Sequence, residues 1–280
     1  MTVRVGINGF GRIGRNFLRA AVDRHADIDV VALNDVASPE INAHLLRYDS
    51  THGRFDEDVD VAGDELVVGN RHIKVMSERD PKALSWKDVG ADVVLEASGR
   101  FTARADAAVH LEAGATRVVI TAPSPDADAT FVVGVNDGDF DADRHFVVSN
   151  ASCTTNCFVP MVKVLDDAFG IVSGLMTTVH AYTNDQNLLD LTHHDLRRAR
   201  AAAVNIVPAS TGAARATGLV LPEMAGRLDG QALRVPVPVG SITDFTAVVR
   251  APVTTEQVND AFRYAAAAPP LEGIIVYSED

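Results

Sequence analysis

Continuous runs of Val, Ile and Leu recur along the first half of the chain. They are separated by segments whose apolar residues repeat every three to four positions. Residues 3–8 and 28–34 are mostly apolar and do not alternate, the mark of strands buried on both faces. Residues 11–24 and 39–48 carry the helical period. A polar stretch fills 49–63, with short strands expected at 66–68 and 73–75. Residues 93–97 read as a strand, 102–113 as a helix, and 118–121, 131–133 and 146–148 as further strands. Strands alternating with helices predict an α/β domain whose doubly wound parallel sheet is covered on both sides.

The pattern changes near residue 150. A helix is expected over 157–167, then a long strand at 171–182. A polar, basic excursion (183–205) leads to strands at 233–237 and 242–250. A helix over 254–267 has Thr254 as its cap and Glu256 in its first turn. Residues 273–277 read as a last short strand. Long strands with few crossover helices predict an α+β domain with a mainly antiparallel sheet. Residues 1–150 and 151–280 are therefore read as two domains, without internal repeat or low-complexity linker.

Composition narrows the classes. The chain is 47% hydrophobic, enough for full cores, but no stretch is apolar enough to span a bilayer. No basic segment followed by an apolar one opens the sequence, so no secretory signal is read. Its two cysteines stand four apart, which argues against a disulfide framework or a cysteine zinc site and fits a reducing cytoplasm. The net charge of −13 disfavours nucleic acid and anionic membranes as partners. Asp outnumbers Glu 28 to 10, and Arg outnumbers Lys 21 to 4. An acidic, lysine-poor surface repels itself in dilute buffer and is screened in molar salt, where the Debye length is about 3 Å. Work in high salt and a GC-rich genome both account for this bias.

Two motifs carry chemistry. Gly9-Phe10-Gly11-Arg12-Ile13-Gly14 follows a predicted strand and opens a predicted helix. Glycines there let the backbone approach a pyrophosphate at a helix N-terminus, which makes the first domain Rossmann-type. Asp35, 21 residues after Gly14, closes the next strand, where a carboxylate accepts from an adenosine ribose and repels a 2′-phosphate. That favours NAD. The second motif is Ala151-Ser152-Cys153-Thr154-Thr155-Asn156-Cys157, with His180 27 positions after Cys153. A cysteine between strand and helix lies at a helix N-terminus, where amide N–H groups favour thiolate, and a histidine in reach can exchange its proton. Cys157 reads as a small packed hydrophobe. The adjacent His193 and His194 have no third partner at metal-ligand spacing and read as solvated loop residues.

These motifs, with His180-Ala181-Tyr182-Thr183-Asn184-Asp185-Gln186, Asp195-Leu196-Arg197-Arg198-Ala199-Arg200-Ala201-Ala202, Ser210-Thr211-Gly212-Ala213-Ala214 and Leu233-Arg234-Val235-Pro236, resemble the phosphorylating glyceraldehyde-3-phosphate dehydrogenase family from Arg4 to the last residue. The resemblance implies a homotetramer that oxidises an aldose-phosphate aldehyde to an acyl phosphate with NAD and inorganic phosphate, in glycolysis or gluconeogenesis. It implies Cys153 as nucleophile and His180 as base. Thr183 and Arg234 would hold the substrate phosphate, and Ser152, Thr154, Thr211 and Gly212 would line the site of the attacking phosphate. Arg79, Ser98, Gly99 and Thr121 join the glycine turn and Asp35 as implied cofactor contacts. The loop of Arg197, Arg198 and Arg200 is implied to pack on a neighbouring subunit.

Two departures from the family stand out. Thr192 follows Leu191 where NAD-specific members carry proline, which leaves room for NADP beside NAD. The chain also stops at Asp280 where family members continue, so the resemblance reads it as C-terminally incomplete. The segment beyond would supply the last catalytic strand or strands, a nicotinamide-orienting asparagine and a C-terminal helix. The alternatives are erythrose-4-phosphate dehydrogenase and an inactive nucleotide-binding remnant. Retention of Cys153, His180, Thr183, Thr211 and Arg234 speaks for an enzyme.

Overall fold

The computed structural model describes residues 2–280. The chain divides into two units: the first holds the chain up to Thr130 together with Asp141–Asn150, the second Phe131–Phe140 and Ala151–Asp280.

In the first unit β1 (Val3–Asn8) leads through α1 (Arg12–Asp23) to β2 (Ile28–Asn34) and through α2 (Pro39–Arg47) to β3 (Val59–Ala62), β4 (Glu65–Val68) and β5 (Arg71–Met76). Then come β6 (Val93–Glu96), β7 (Arg117–Ile120), β8 (Ala129–Thr130) and β9 (Val147–Ser149). Together they form one nine-stranded sheet in the order β8-β9-β7-β6-β1-β2-β5-β4-β3. Pairing is parallel from β8 to β5, and the β5-β4-β3 meander is antiparallel. Strand order reverses at β1, between β2 and β6, and in such sheets ligands bind beyond the carboxyl ends at this point. The residues of β2 divide between two apolar clusters. Val30 and Leu33 pack with Ile7, Leu18 and Leu46, while Val31 and Ala32 pack with Trp86 and Val94. Both faces of the sheet are thus covered, which is why these strands are apolar without alternation. Helix α1 buries Leu18 and Val22 at helical spacing. Helix α2 starts cleanly because Ser38 accepts from the Ile41 N–H and Pro39 occupies the first turn.

The second unit contains α3 (Cys153–Phe169), β10 (Ile171–Ala181), β11 (Val207–Ser210), α4 (Ala213–Val220), β12 (Leu228–Val235), β13 (Ser241–Val249) and α5 (Thr255–Ala266). Its sheet runs β11-β12-β10-β13. The β11–β12 and β10–β13 pairs are antiparallel, and the central β10–β12 pair is parallel. Phe158, Val159 and Val162 of α3 join Met176, Ala213, Ala214 and Leu228 in its core. Thr254 and Gln257 close a reciprocal capping box on α5.

Several local expectations shift. The run 49–63 hides β3, whose Val-Asp-Val-Ala alternation is too short to stand out. The helix expected over 102–113 breaks at Ala108 into Arg104–Ala107 and Val109–Glu112. Residues 131–133 form no strand. The ladder lies at Ala129–Thr130, and the chain then turns at Gly134 with φ +81°. The helix expected from residue 157 begins at Cys153 and continues through Pro160. The strand expected at 233–237 starts at Leu228, because its register with β10 runs back to Gly174. Residues 273–277 hold only a bridge between Glu272 and Ile275.

Candidate active site

A cleft opens at the carboxyl ends of β1, β2 and β6 in the first unit. Gly9, Gly11, Asn34, Asp35, Arg79 and Ser98 are among its lining residues. Gly9 has φ +94°, and a Cβ there would sit 2.5 Å from the backbone of Ser98. Only glycine allows β1 and β6 to close so tightly. A Cβ on Gly14 would lie 2.4 Å from the Gly9 carbonyl oxygen, so Gly14 lets α1 pack on the turn. A Cβ on Gly11 would meet nothing within 4 Å and would project into open space. Gly11 caps α1 without a side-chain hydrogen bond, and the first turn holds no acid. Uncapped N–H groups at a helix N-terminus, in a cradle that a side chain would fill, fit a pyrophosphate. Asp35 Oδ2 accepts from the Phe10 N–H at 2.8 Å and Oδ1 from the Ala37 N–H at 2.9 Å. Each oxygen keeps a lone pair for a ribose hydroxyl. These residues therefore fit a dinucleotide.

Other residues of the motif do different work. Phe10 is buried and packs in the core. Arg12 pairs with Asp49 at 2.9 Å. Burial raises the Asp49 pKa, but the N–H groups of His52 and Thr51 and the Arg12 guanidinium outweigh it and hold it at about 2. The Ile13 side chain is exposed. Gly99 follows Ser98 with φ +71°, and Thr121 donates from both N–H and hydroxyl to the Glu96 carbonyl. We expect Gly9→Ala to lower unfolding stability by at least ~2 kcal/mol, since it adds both a backbone clash and a strained φ. Urea denaturation measures this, and an unchanged midpoint would contradict the close approach.

The second unit holds the sulfur site. The chain enters α3 through Ala151, whose φ of 57° is left-handed, a conformation costing an alanine about 1 kcal/mol. Ser152 caps the helix, its Oγ accepting from the Thr155 N–H at 3.0 Å. Cys153 is thereby the first helical residue and is exposed. Its Sγ lies 3.2 Å from His180 Nε2. The hydrogen bond from His180 lowers the thiol pKa to about 7 against an opposing burial penalty, helped by the Thr154 hydroxyl and N–H. The same bond raises the His180 pKa, opposed by burial and by Arg234.

Strand register brings the cation to the histidine. β10 and β12 pair in parallel with His180 opposite Arg234, and Arg234 Nη1 reaches His180 Nδ1 at 2.6 Å and the Ala181 carbonyl at 3.0 Å. That carbonyl lies 2.7 Å from Nδ1. Arg234 can only donate, so while that contact holds Nδ1 accepts and the ring proton faces sulfur on Nε2. With its proton on Nδ1 instead, donated to the Ala181 carbonyl, the ring frees Nε2 to exchange a proton with sulfur or substrate. Burial lowers the Arg234 pKa, Asp185 raises it and Arg198 lowers it. Asp185 accepts from the Thr183 hydroxyl and pairs with Arg198 at 2.7 Å.

Cys153, His180, Thr154 and Arg234 thus form one bonded cluster, with Thr183 joined to Arg198 through Asp185. Arg198 Nη2 also reaches the Ser210 carbonyl at 3.4 Å, beside Thr211 and Gly212. Gly212 caps α4 without a side-chain bond, and Thr211 Oγ1 accepts from the Ala213 N–H at 3.2 Å. Among the described residues, no hydrogen bond ties Thr211 or Gly212 directly to Cys153. The sequence singled out neither Asp185 nor a local role for Arg198, since an arginine pair in a basic loop reads as surface. Cys157 is exposed rather than packed, with its Sγ 3.8 Å from Thr243 Oγ1. Among the described residues, no group of three or more His, Cys, Asp or Glu could hold a metal ion, and no helix is long and apolar enough to cross a membrane.

Comparison with known proteins bears on both sites. Residues 3–104 match the family model of the glyceraldehyde 3-phosphate dehydrogenase NAD binding domain, and residues 152–280 match that of its C-terminal domain. Glyceraldehyde-3-phosphate dehydrogenase of Streptomyces coelicolor is 55% identical over 280 residues, spanning 100% of this chain and 83% of the relative. The Geobacillus stearothermophilus enzyme is 57% identical over the same shares. Glyceraldehyde-3-phosphate dehydrogenase 1 of Bacillus subtilis is 56% identical over them.

Proposed function

Because this chain belongs to the glyceraldehyde-3-phosphate dehydrogenase family, we propose that it converts D-glyceraldehyde 3-phosphate to 1,3-bisphosphoglycerate with NAD and inorganic phosphate. The observation that carries the reading is the Cys153 Sγ to His180 Nε2 contact of 3.2 Å at a helix N-terminus, with Arg234 bonded to the same imidazole. The Cys153 thiolate adds to the aldehyde carbon, giving a thiohemiacetal. His180 Nε2 takes the hydroxyl proton as the carbon is oxidised, which leaves a thioester on Cys153. NAD, when bound, accepts the hydride. Inorganic phosphate attacks the thioester carbon, the C–S bond breaks, and the Cys153 thiolate returns as the acyl phosphate leaves.

Arg234 and Thr183 hold the substrate's phosphate. Ser152, Thr154, Thr211 and Gly212 hold the attacking one. Arg198 and Arg234 around the single carboxylate of Asp185 supply the positive field that two phosphates need on an acidic protein. For NAD, the uncapped start of α1 takes the pyrophosphate and Asp35 the adenosine ribose. Arg79, Ser98, Gly99 and Thr121 complete the cofactor contacts. The carboxylate of Asp35 makes NAD the preferred cofactor over NADP.

The activity is assayed as NADH formation from aldehyde, NAD and phosphate. Turnover requiring inorganic phosphate is expected. Equal turnover without phosphate, yielding a free acid, would favour the erythrose-4-phosphate reading. No NADH from a chain that binds NAD would favour an inactive nucleotide-binding protein. We also assign a homotetramer, supported by the exposed Leu188, Leu189, Leu191 and Leu196 of the basic excursion, and a reducing cytoplasm, which free Cys153 and Cys157 thiols require.

A further inference from the structure

Beneath the cofactor cleft, buried polar side chains form a continuous chain that the chemistry above does not use. Glu96 is 2% exposed, and His110 and Trp86 are fully buried. Trp86 Nε1 donates to His110 Nδ1 at 3.0 Å. An indole N–H can only donate, so Nδ1 accepts and the ring proton resides on Nε2. Nε2 lies 3.0 Å from Glu96 Oε2 and donates to it. The same oxygen accepts from Asn8 Nδ2 at 2.6 Å. Glu96 Oε1 accepts from the Ser98 N–H at 2.8 Å and from the Ser98 hydroxyl. Asn8 Oδ1 accepts in turn from Asn34 Nδ2 at 2.8 Å. Asn34 then clasps the backbone of Glu78 in both directions, donating at 2.9 Å and accepting at 2.8 Å.

The far ends of this chain are the walls of the cleft. Ser98 is the residue against which Gly9 closes, Asn34 precedes Asp35, and Glu78 precedes Arg79. All of them line the cleft. We propose that Glu96 is the positioning residue of the NAD cleft: one buried carboxylate fixes Ser98 directly, and Asn34 and Glu78 through Asn8, with His110 and Trp86 holding it from behind. The inference rests on the NAD reading above. The chemistry requires a carboxylate. Four donors converge on Glu96, and a carboxylate is the side chain with about four acceptor sites and nothing to donate. Glutamine has the same shape but would turn an NH2 group toward donors, so at least one partner would lose its bond and the wall it holds would slacken.

The test compares Glu96→Gln with the unaltered chain by calorimetric titration with NAD. The variant is expected to raise the NAD Kd about tenfold or more, while iodoacetamide alkylates Cys153 in the absence of NAD at an unchanged rate. Trp86 is the only tryptophan, so its emission reports the network directly and is expected to shift in the unliganded variant. A folded Glu96→Gln protein with unchanged NAD Kd would overturn the inference. Should that variant not fold, His110→Leu and His110→Gln carry the test. Leucine removes the donor behind Glu96 and is expected to weaken NAD, whereas glutamine retains a donor and an acceptor and is expected to restore binding. Equal Kd values for the two would overturn the inference. If the unaltered chain itself fails to bind NAD, the cofactor reading falls and this inference with it. Normal binding by the unaltered chain together with unchanged variants rejects the positioning role alone.

Discussion

Cys153→Ser is expected to reduce kcat on the order of 10⁴-fold or more, while NAD still binds. With its pKa drawn down to about 7, chiefly by the His180 hydrogen bond, the thiol supplies thiolate at neutral pH. A serine hydroxyl in the same place would stay protonated, because the shift that His180 and Thr154 produce on a thiol falls far short of ionising an alcohol. The substitution also removes the leaving group that makes the acyl intermediate reactive toward phosphate, since an ester there is cleaved far less readily than a thioester. Steady-state NADH formation measures the loss. Mass spectrometry of protein mixed with aldehyde and NAD, without phosphate, checks the cause: an acyl adduct is expected on the unaltered chain and none on the variant. A serine variant within about tenfold of normal kcat would remove Cys153 from the reaction.

His180→Asn is expected to lower kcat by about 10²–10⁴-fold, the usual range for loss of a general base. It should also move the titration of Cys153. His180 is the first cause of the depressed thiol pKa, so its removal raises that pKa from about 7 toward the ordinary 9.0. Depression favours the thiolate, so the unaltered protein is alkylated faster than the variant near pH 7, and the two converge once pH exceeds both values. The reciprocal holds for the ring. The thiolate raises the His180 pKa, so Cys153→Ser lowers it. Iodoacetamide rates across pH 5–10 give the first shift and imidazole NMR the second. A His180→Asn profile still centred near pH 7 would mean that the helix N-terminus alone sets the thiolate.

How much of this was legible in the sequence depended on whether a signal was local. The strands β1, β2, β6 and β7 were readable because double-sided burial leaves Val-, Ile- and Leu-rich runs without alternation. Gly9, Gly14 and Asp35 stood out because a tight strand, turn and helix places glycines and a strand-end carboxylate at fixed offsets, and the close approaches at Gly9 and Gly14 are local. By contrast, β11 contains Pro208 and β12 contains Gly230, both poor strand signals. Their pairing with each other and with β10 overrides that preference, and pairing is not local. Helix α3 was expected only from residue 157 because Thr154, Thr155 and Asn156 have low helical propensity. The Ser152 cap and the burial of Phe158, Val159 and Val162 outweigh them. Asp185 and Arg198 lie 13 residues apart in a polar excursion and meet only because the loop folds back. Glu96 fell within the strand expected at 93–97 without being singled out, and nothing along the chain announces that His110 and Asn8 converge on it.

The parallel register that sets His180 opposite Arg234 has a consequence for the protein's history. Neither residue is held by a loop, and each owes its place to a count of residues along its strand. Inserting or deleting one residue within β10 or β12 would exchange the two faces of that strand and turn His180 or Arg234 away from the other, even if the sheet re-formed around the change. Lineages can therefore lengthen or shorten the excursion between residues 183 and 205 with far less risk than the stretches 174–181 and 228–235. Substitutions can accumulate in those two strands, but changes of length cannot, and the spacing of His180 and Arg234 from their strand starts is expected to be the slowest-changing quantity in the second unit.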